Sequence, residues 1–340
     1  MQVTKHEFGR IGSSVIYVYT MRNGNGMEVS FINYGGRITG IRTPDKDGNV
    51  ENVVLSYDTP EEYAADKYYF GAICGRVAGR IRGGSFVLDN VRYDVTKNDG
   101  EHQMHGGLHN FSTAVWQCEV SCTDEEACAV LSYRSVDGEE GFPGTVDARA
   151  VYTLNEKNEF TVRFEGVSDK DTLLDMTSHA YFNLCGDAKR DILGHRLRID
   201  SARYAESDEW MLPTGRLEPA GQSPFNTRGN ETIGEQFAKK HPQLEAQGGY
   251  NHPFVLESSF SEEIRLQDPV SGRQLIIETD CPAVVVYTAN ANPPQTRHFA
   301  ICLEAQAIPD AANRPHFPPI VLRKGERYSA TIKHTFGLVH

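Results

Sequence analysis

An all-β fold, a large antiparallel sandwich, is what this sequence predicts. Three observations point to it: apolar and polar residues alternate with period two from end to end, turn residues separate the alternating runs, and helical periodicity is scarce. Residues 85–88 and 91–95 flank Asp89 and Asn90, which both tolerate positive φ, so a tight hairpin is expected there. A second hairpin is expected from 150–154 through the polar 155–158 into 160–164, and a third from 264–266 through 269–272 into 275–278. Residues 282–288, with three consecutive valines at 284–286, read as a strand buried on both faces. Thr59 before Pro60 is placed to cap a short helix over 60–65, and 230–247 holds a further helical turn or two. Neither is long enough for an α/β crossover. The 340 residues would accommodate two average domains, but no repeat, low-complexity tract or linker divides them, so one domain over 1–340 is expected.

Composition narrows the partners. Asp and Glu number 46 against 34 Lys and Arg, a net charge of −12, and like charges repel a nucleic-acid backbone or an anionic membrane surface. A small, mostly uncharged ligand fits better, with no nucleic acid and no membrane. No run approaches the roughly 18 apolar residues of a membrane span. The amino terminus lacks an apolar signal-peptide run, and seven cysteines without a CxxC spacing read as reduced thiols, which together suggest the cytoplasm. Cys118, Cys122 and Cys128 lack a fourth ligand at zinc-site spacing, so no metal is assigned to them.

Five polar segments interrupt the strand pattern. The first, 75–81, holds Arg76 and Arg80, whose forked donors suit carboxylates or sugar hydroxyls, although solvated loop arginines explain it as well. The second, 98–107, brings His102 and His105, with His109 close behind. A metal site is conceivable, but Gly106 and Gly107 break any helix that would gather His105 and His109, and a hydrogen-bonding role for one histidine is the better reading. In the third, 177–184, alternation from Leu174 puts Met176, Ser178 and Ala180 on one face and Thr177, His179 and Tyr181 on the other. That arrangement suits a sugar-lined cleft or a hydrogen-bonded core histidine. The fourth is 248–256. In the fifth, 301–313, Glu304 follows the apolar triplet 301–303, so a core strand would bury its carboxylate, and such a group needs a proton, a partner such as an arginine, or a task.

Taken in order and spacing, these segments resemble the aldose 1-epimerase family, the galactose mutarotases, over nearly the whole chain. The most specific matches are His105-Gly106-Gly107, the His-x-Tyr-Phe-Asn-Leu run at 179–184, and Leu303-Glu304 with Pro309-Asp310-Ala311. The resemblance implies a galactose mutarotase-like β-sandwich with a carbohydrate cleft, no cofactor and no metal, and a monosaccharide substrate. Matched residue by residue, Glu304 is the general base, His179 the general acid, and Arg80 and His105 bind substrate, with Asn251 at a further sugar contact and Arg76 structural; Tyr181, on the face of His179, is expected to contact the sugar as well. With ordinary pKa values of about 4.3 and 6.5, Glu304 would be ionised and His179 protonated near neutral pH.

Three positions depart from the family pattern. Asn251 stands where an aspartate usually holds a sugar hydroxyl, Gly79 where an asparagine commonly precedes the binding arginine, and Val285 where relatives often have a glutamine. Substrate preference is therefore open, and oligomeric state is open between monomer and homodimer. A β-sandwich glycoside hydrolase would need two carboxylates about the glycosidic bond, whereas the matched set has one. A non-catalytic or altered-specificity sugar-binding homologue, or a metal-dependent isomerase, are the remaining alternatives.

Overall fold

In the computed structural model, which describes residues 1–257, 264–291 and 296–339, an eight-stranded antiparallel sheet forms one side of the molecule. Its order is Gln117–Cys122, Glu126–Ser135, Val146–Asn155, Glu159–Ser168, Arg327–Leu338, Arg273–Thr279, Ile264–Gln267 and Arg196–Ile199. Facing it are a six-stranded sheet (Tyr181–Phe182, Ile301–Gln306, Ala283–Tyr287, Asn251–Val255, Arg203–Ser207, Pro213–Pro219) and a five-stranded amino-terminal meander from Gln2–Ile11 to Val50–Asn52. The main core lies between these layers. Leu131, Tyr152, Phe164 and Ile332 come from the large sheet, Val284, Val286, Leu303 and Ala305 from the six-stranded one, and Phe31 and Ile41 from the meander. This is the all-β sandwich that the alternation predicts.

Each predicted hairpin forms. Ser85–Leu88 pairs with Val91–Asp94 about Asp89 and Asn90, both at positive φ (51° and 64°). Val146–Asn155 pairs with Glu159–Ser168, and Ile264–Gln267 with Arg273–Thr279. Pro60–Ala64 is a helix with Thr59 and Glu62 in a reciprocal capping box, and the polar connection contains the short helices Ile233–Ala238 and Pro242–Gln247.

Two expectations need refinement. The stretch after Leu174 is not one strand but the fragments Thr177–Ser178 and Tyr181–Phe182, because the first pairs with Ile73–Cys74 and the second with Ile301–Gln306. Its faces still alternate: Met176, Ala180 and Phe182 enter the main core, while His179 and Tyr181 stack together on the other side. Ala283–Tyr287 is buried as predicted, but Val284 and Val286 meet the core whereas Val285 lines a cleft.

Candidate active site

The site begins with the period of one strand. In Ile301–Gln306, residues 301, 303 and 305 point into the core, so Cys302, Glu304 and Gln306 face the opposite side of the sheet. Register brings neighbours alongside: Val285 sits opposite Glu304, Tyr287 opposite Cys302, and Asn251 and Pro253 opposite Tyr287 and Val285 on the next strand. This face is the floor of a cleft of about 390 Å³. Every residue predicted to contact substrate or carry chemistry lines it: Arg80, His105, His179, Tyr181, Asn251 and Glu304.

Loops build the walls. His179 is pinned by its own N–H to Ala72 O and by its carbonyl to Gly71 N–H. Its Nε2 stands 3.6 Å from Glu304 Oε1, and its Nδ1 lies 3.5 Å from Cys302 Sγ. His105 approaches edge-on at 5.2 Å between ring centroids. Its Nδ1 accepts the Gly79 N–H at 3.2 Å, so the neutral imidazole carries its proton on Nε2 and offers a donor. The turn that holds it requires glycine at 106, where a Cβ would lie 2.0 Å from Gly75 O at φ 92°.

The two arginines separate as the resemblance implies. Arg76 is buried and donates to Ser135 Oγ and to the carbonyls of Ser135, Val136 and Pro143. Arg80 reaches the cleft, where Nε binds Asp99 at 2.6 Å and Nη2 meets the Met211 sulfur at 3.8 Å. Its Nη1 has no partner among the described residues and remains available to a sugar hydroxyl.

Tyr181 serves differently from expectation. Its ring stacks on His179 at 5.1 Å, but its hydroxyl already donates to Tyr68 O, so it braces the imidazole. Asn251 is half-buried, and its side-chain amide has no hydrogen bond among the described residues. His252, beside it, is structural: Nδ1 accepts the Asn251 N–H and Nε2 meets Gln243 Oε1. At Gly79, with φ 72°, a Cβ would come within 2.8 Å of Pro309, so this backbone suits glycine.

Burial overturns the expected protonation. It pushes the Glu304 carboxyl up to about 8, against a smaller opposing pull from Arg80, and drives His179 down to about 4. Burial therefore favours the neutral form of both groups, with the pair's proton on Glu304. The expected ionised carboxylate and imidazolium belong to solvated groups, and these are 3% and 5% exposed. His105 is also held well below its ordinary value, first by burial and then by His179 and Arg80.

The proposed histidine trio does not assemble, because His102 turns to accept the Gly83 N–H and His109 is exposed. Instead His105, His179 and Glu304 bring potential ligand atoms within 4.8 Å of one another. The donor set fits a metal poorly: with Nδ1 of His105 accepting from Gly79, its other nitrogen presents a proton rather than a lone pair. The seven cysteines are free, with Cys118 and Cys122 on one strand of the large sheet and Cys128 on its neighbour.

Sequence reading missed Tyr69, whose ring lies 4.7 Å from His105 and 5.9 Å from His179. It sits at φ 60° in a turn tied by Asp66, which accepts the N–H groups of Tyr68 and Phe70, the Tyr57 hydroxyl and the buried Arg37 guanidinium at 2.6 Å. Asp99, which orients Arg80, was also missed, although it lies in the polar 98–107 segment.

A sequence model of the family described as Aldose 1-epimerase matches residues 17–335. The chain belongs to the aldose 1-epimerase family. It is 32% identical to galactose mutarotase of Bos taurus over 99% of both chains, and 30% identical to aldose 1-epimerase of Escherichia coli K12 over 93% of this chain and 94% of that one. The solved structure of galactose 1-epimerase from Lactobacillus acidophilus superposes with a TM-score of 0.89 at 28% identity, covering 100% of this chain and 99% of that one. Among the described residues no helix is long and apolar enough to cross a membrane.

Proposed function

We infer that this chain is an enzyme that interconverts the α and β anomers of a free aldose by opening and reclosing the ring, with Glu304 and His179 as its acid–base pair. One observation carries the assignment of roles: a carboxyl and an imidazole, both buried, stand 3.6 Å apart on the floor of a cleft that Arg80 and His105 also line. Opening a pyranose requires one group to take the anomeric O–H proton while another protonates the ring oxygen as the C1–O bond breaks. The product is an open-chain aldehyde. Rotation about C1–C2 and the reverse proton transfers close the ring on the other face.

The balance demands one proton on the pair, not a particular seat for it. With Glu304 protonated and His179 neutral, the carboxylic acid donates and the imidazole accepts. Once the two transfers have run through the sugar, the pair is ionised, and ring closure returns both protons. The family resemblance assigns the converse seating, in which ionised Glu304 takes the anomeric O–H proton while protonated His179 gives one to the ring oxygen; that cycle also keeps one proton on the pair. Arg80 Nη1 and His105 Nε2–H are donors for ring hydroxyls and for charge developing on oxygen. Hydrolysis of a glycoside is disfavoured, because the second carboxylate in the cleft, Asp99, is held by Arg80.

Residues from Arg80 to Glu304 converge on one cleft, which supports a single functional domain over 1–340 acting on a monosaccharide. Seven free cysteines agree with a reducing, cytoplasmic setting. Polarimetry of freshly dissolved single anomers of glucose, galactose, xylose and arabinose tests the reading. Wild type accelerates relaxation of at least one sugar and Glu304→Gln does not; equal rates for the two proteins would refute it.

A further inference from the structure

An imidazole that exchanges protons at one nitrogen has a second nitrogen to satisfy, and in a buried site water cannot do it. Tyr181 pairs with Cys302 across two antiparallel strands. Continuing that register by two residues brings His179 level with Glu304 and leaves Cys302 diagonal to the imidazole. His179 Nε2 accordingly lies 3.6 Å from Glu304 Oε1, and Nδ1 lies 3.5 Å from Cys302 Sγ. The ring is held in this orientation by Tyr181 and Tyr69, which lie nearly parallel to it at 26° and 27°.

Cys302 is fully buried, in an apolar cluster that also holds Ile32, Phe70 and Tyr181. Burial first, then Glu304, keeps the thiol well above its ordinary pKa, so the group is a neutral S–H. A neutral thiol is both a weak donor and a weak acceptor. The reaction selects between these roles. In either seating of the pair's proton, the transfers to and from the sugar occur at Nε2, which faces the cleft. Nδ1 must keep its hydrogen throughout, because a neutral imidazole accepts at Nε2 only when Nδ1 is protonated, and the imidazolium carries both. The sulfur is placed to accept that hydrogen. An S–H donated the other way, to Nδ1, would fix the hydrogen on Nε2 and leave no lone pair toward the cleft. A carboxylate in place of the thiol would also hold Nδ1–H, but its charge would raise the imidazole pKa; neutral sulfur holds it without that shift.

We propose that Cys302 is a positioning residue for His179, its sulfur accepting Nδ1–H so that Nε2 alone exchanges protons with the sugar. This rests on the ring-opening reading above. Three substitutions separate hydrogen bonding from packing: Cys302→Ser keeps an acceptor, Cys302→Val fills the space without one, and Cys302→Ala does neither. In polarimetry, kcat falls about three- to tenfold in Cys302→Ala and Cys302→Val with KM within about twofold, and Cys302→Ser recovers most of it. An unchanged kcat in Cys302→Val, or equal losses in Cys302→Ser and Cys302→Val, overturns the proposal. Nitrogen-15 NMR of histidine-labelled protein reads the tautomer without turnover, the His179 signals being those lost in His179→Gln. The wild type shows Nδ1 protonated and Nε2 bare, and Cys302→Val shows a mixture of tautomers. A wild type protonated at Nε2, or a spectrum that Cys302→Val leaves unchanged, overturns the proposal. If no sugar relaxes faster with wild type than with Glu304→Gln, ring opening itself fails, and the spectrum still decides whether Cys302 holds Nδ1–H.

Discussion

The two faces of the strand Ile301–Gln306 differ in every respect except their backbone. On one face Ile301, Leu303 and Ala305 fill a core shared with the eight-stranded sheet; on the other, Glu304 and Gln306 meet a cleft walled by loops, and Cys302 packs in a smaller apolar cluster beside it. Both faces are buried, yet burial does opposite things to them. On the core face it stabilises the fold by removing apolar area from water. On the cleft face it raises the carboxyl and depresses the imidazole, which is destabilising and chemically useful. Rigidity on the first face is what holds the second in geometry.

Substitutions on alternate residues should separate these roles. Glu304→Gln keeps the shape of the side chain and removes the titration, so kcat falls by about 10²–10⁴ while the fold persists, as judged by circular dichroism and polarimetry on the same samples. A variant within tenfold of wild type would remove Glu304 from the chemistry. Leu303→Ala, one residue away, should do the converse. It destabilises by about 2–5 kcal/mol in denaturant titration, while the folded fraction retains its activity.

The pH profile sharpens the contrast between faces. The pair holds a single proton from about 4, where His179 titrates, to about 8, where Glu304 does. The kcat/KM profile should be a bell with limbs near those values, rather than an alkaline limb near 6.5. Stability follows by linkage. Because the native carboxyl binds its proton more tightly than the unfolded one, stability is fully present below the unfolded value of 4.5 and declines as pH rises toward about 8. Glu304→Gln lacks that decline, so its Tm advantage over wild type should grow from pH 5 to pH 9 in calorimetry. A gap independent of pH would mean that the carboxyl is not buried as described.

What the sequence makes legible divides along the same line. Period two is a local signal, so the three hairpins can be read from residues alone, and so can the N-cap at Thr59; the apolar triplet 301–303 suggests a core strand but not which of its residues face inward. Convergence of Arg80, His105, His179 and Glu304 is not local; ordered motifs of a family reveal it, whereas spacing alone argues only against a histidine trio at 102, 105 and 109, through Gly106 and Gly107. Protonation could not be read at all, because it depends on how deeply the loops bury each group. Tyr69 escaped for a similar reason: its place over the two imidazoles is set by Asp66 and Arg37, a buried pair that joins distant parts of the chain.

Position 251 offers the mildest perturbation of the cleft face. Asn251 lies two strands from Glu304 and two residues along, since it pairs with Tyr287, which pairs with Cys302. At strand spacings near 4.8 Å and a rise near 3.4 Å, the separation is about 12 Å. Coulomb's law at that distance gives about 0.3 kcal/mol in a water-like medium, so a carboxylate introduced there raises the Glu304 pKa by about a quarter of a unit. It would, however, change the hydroxyl contact, because an amide donates and accepts whereas a carboxylate accepts two strong bonds. Asn251→Asp should therefore shift the ratio of kcat/KM between sugars, galactose against glucose or xylose, by several-fold and up to about tenfold. The alkaline limb should move by less than about half a pH unit. If the limb moves and the ratio does not, position 251 acts on the acid–base pair, and the division between a chemical floor and a recognising flank is drawn in the wrong place.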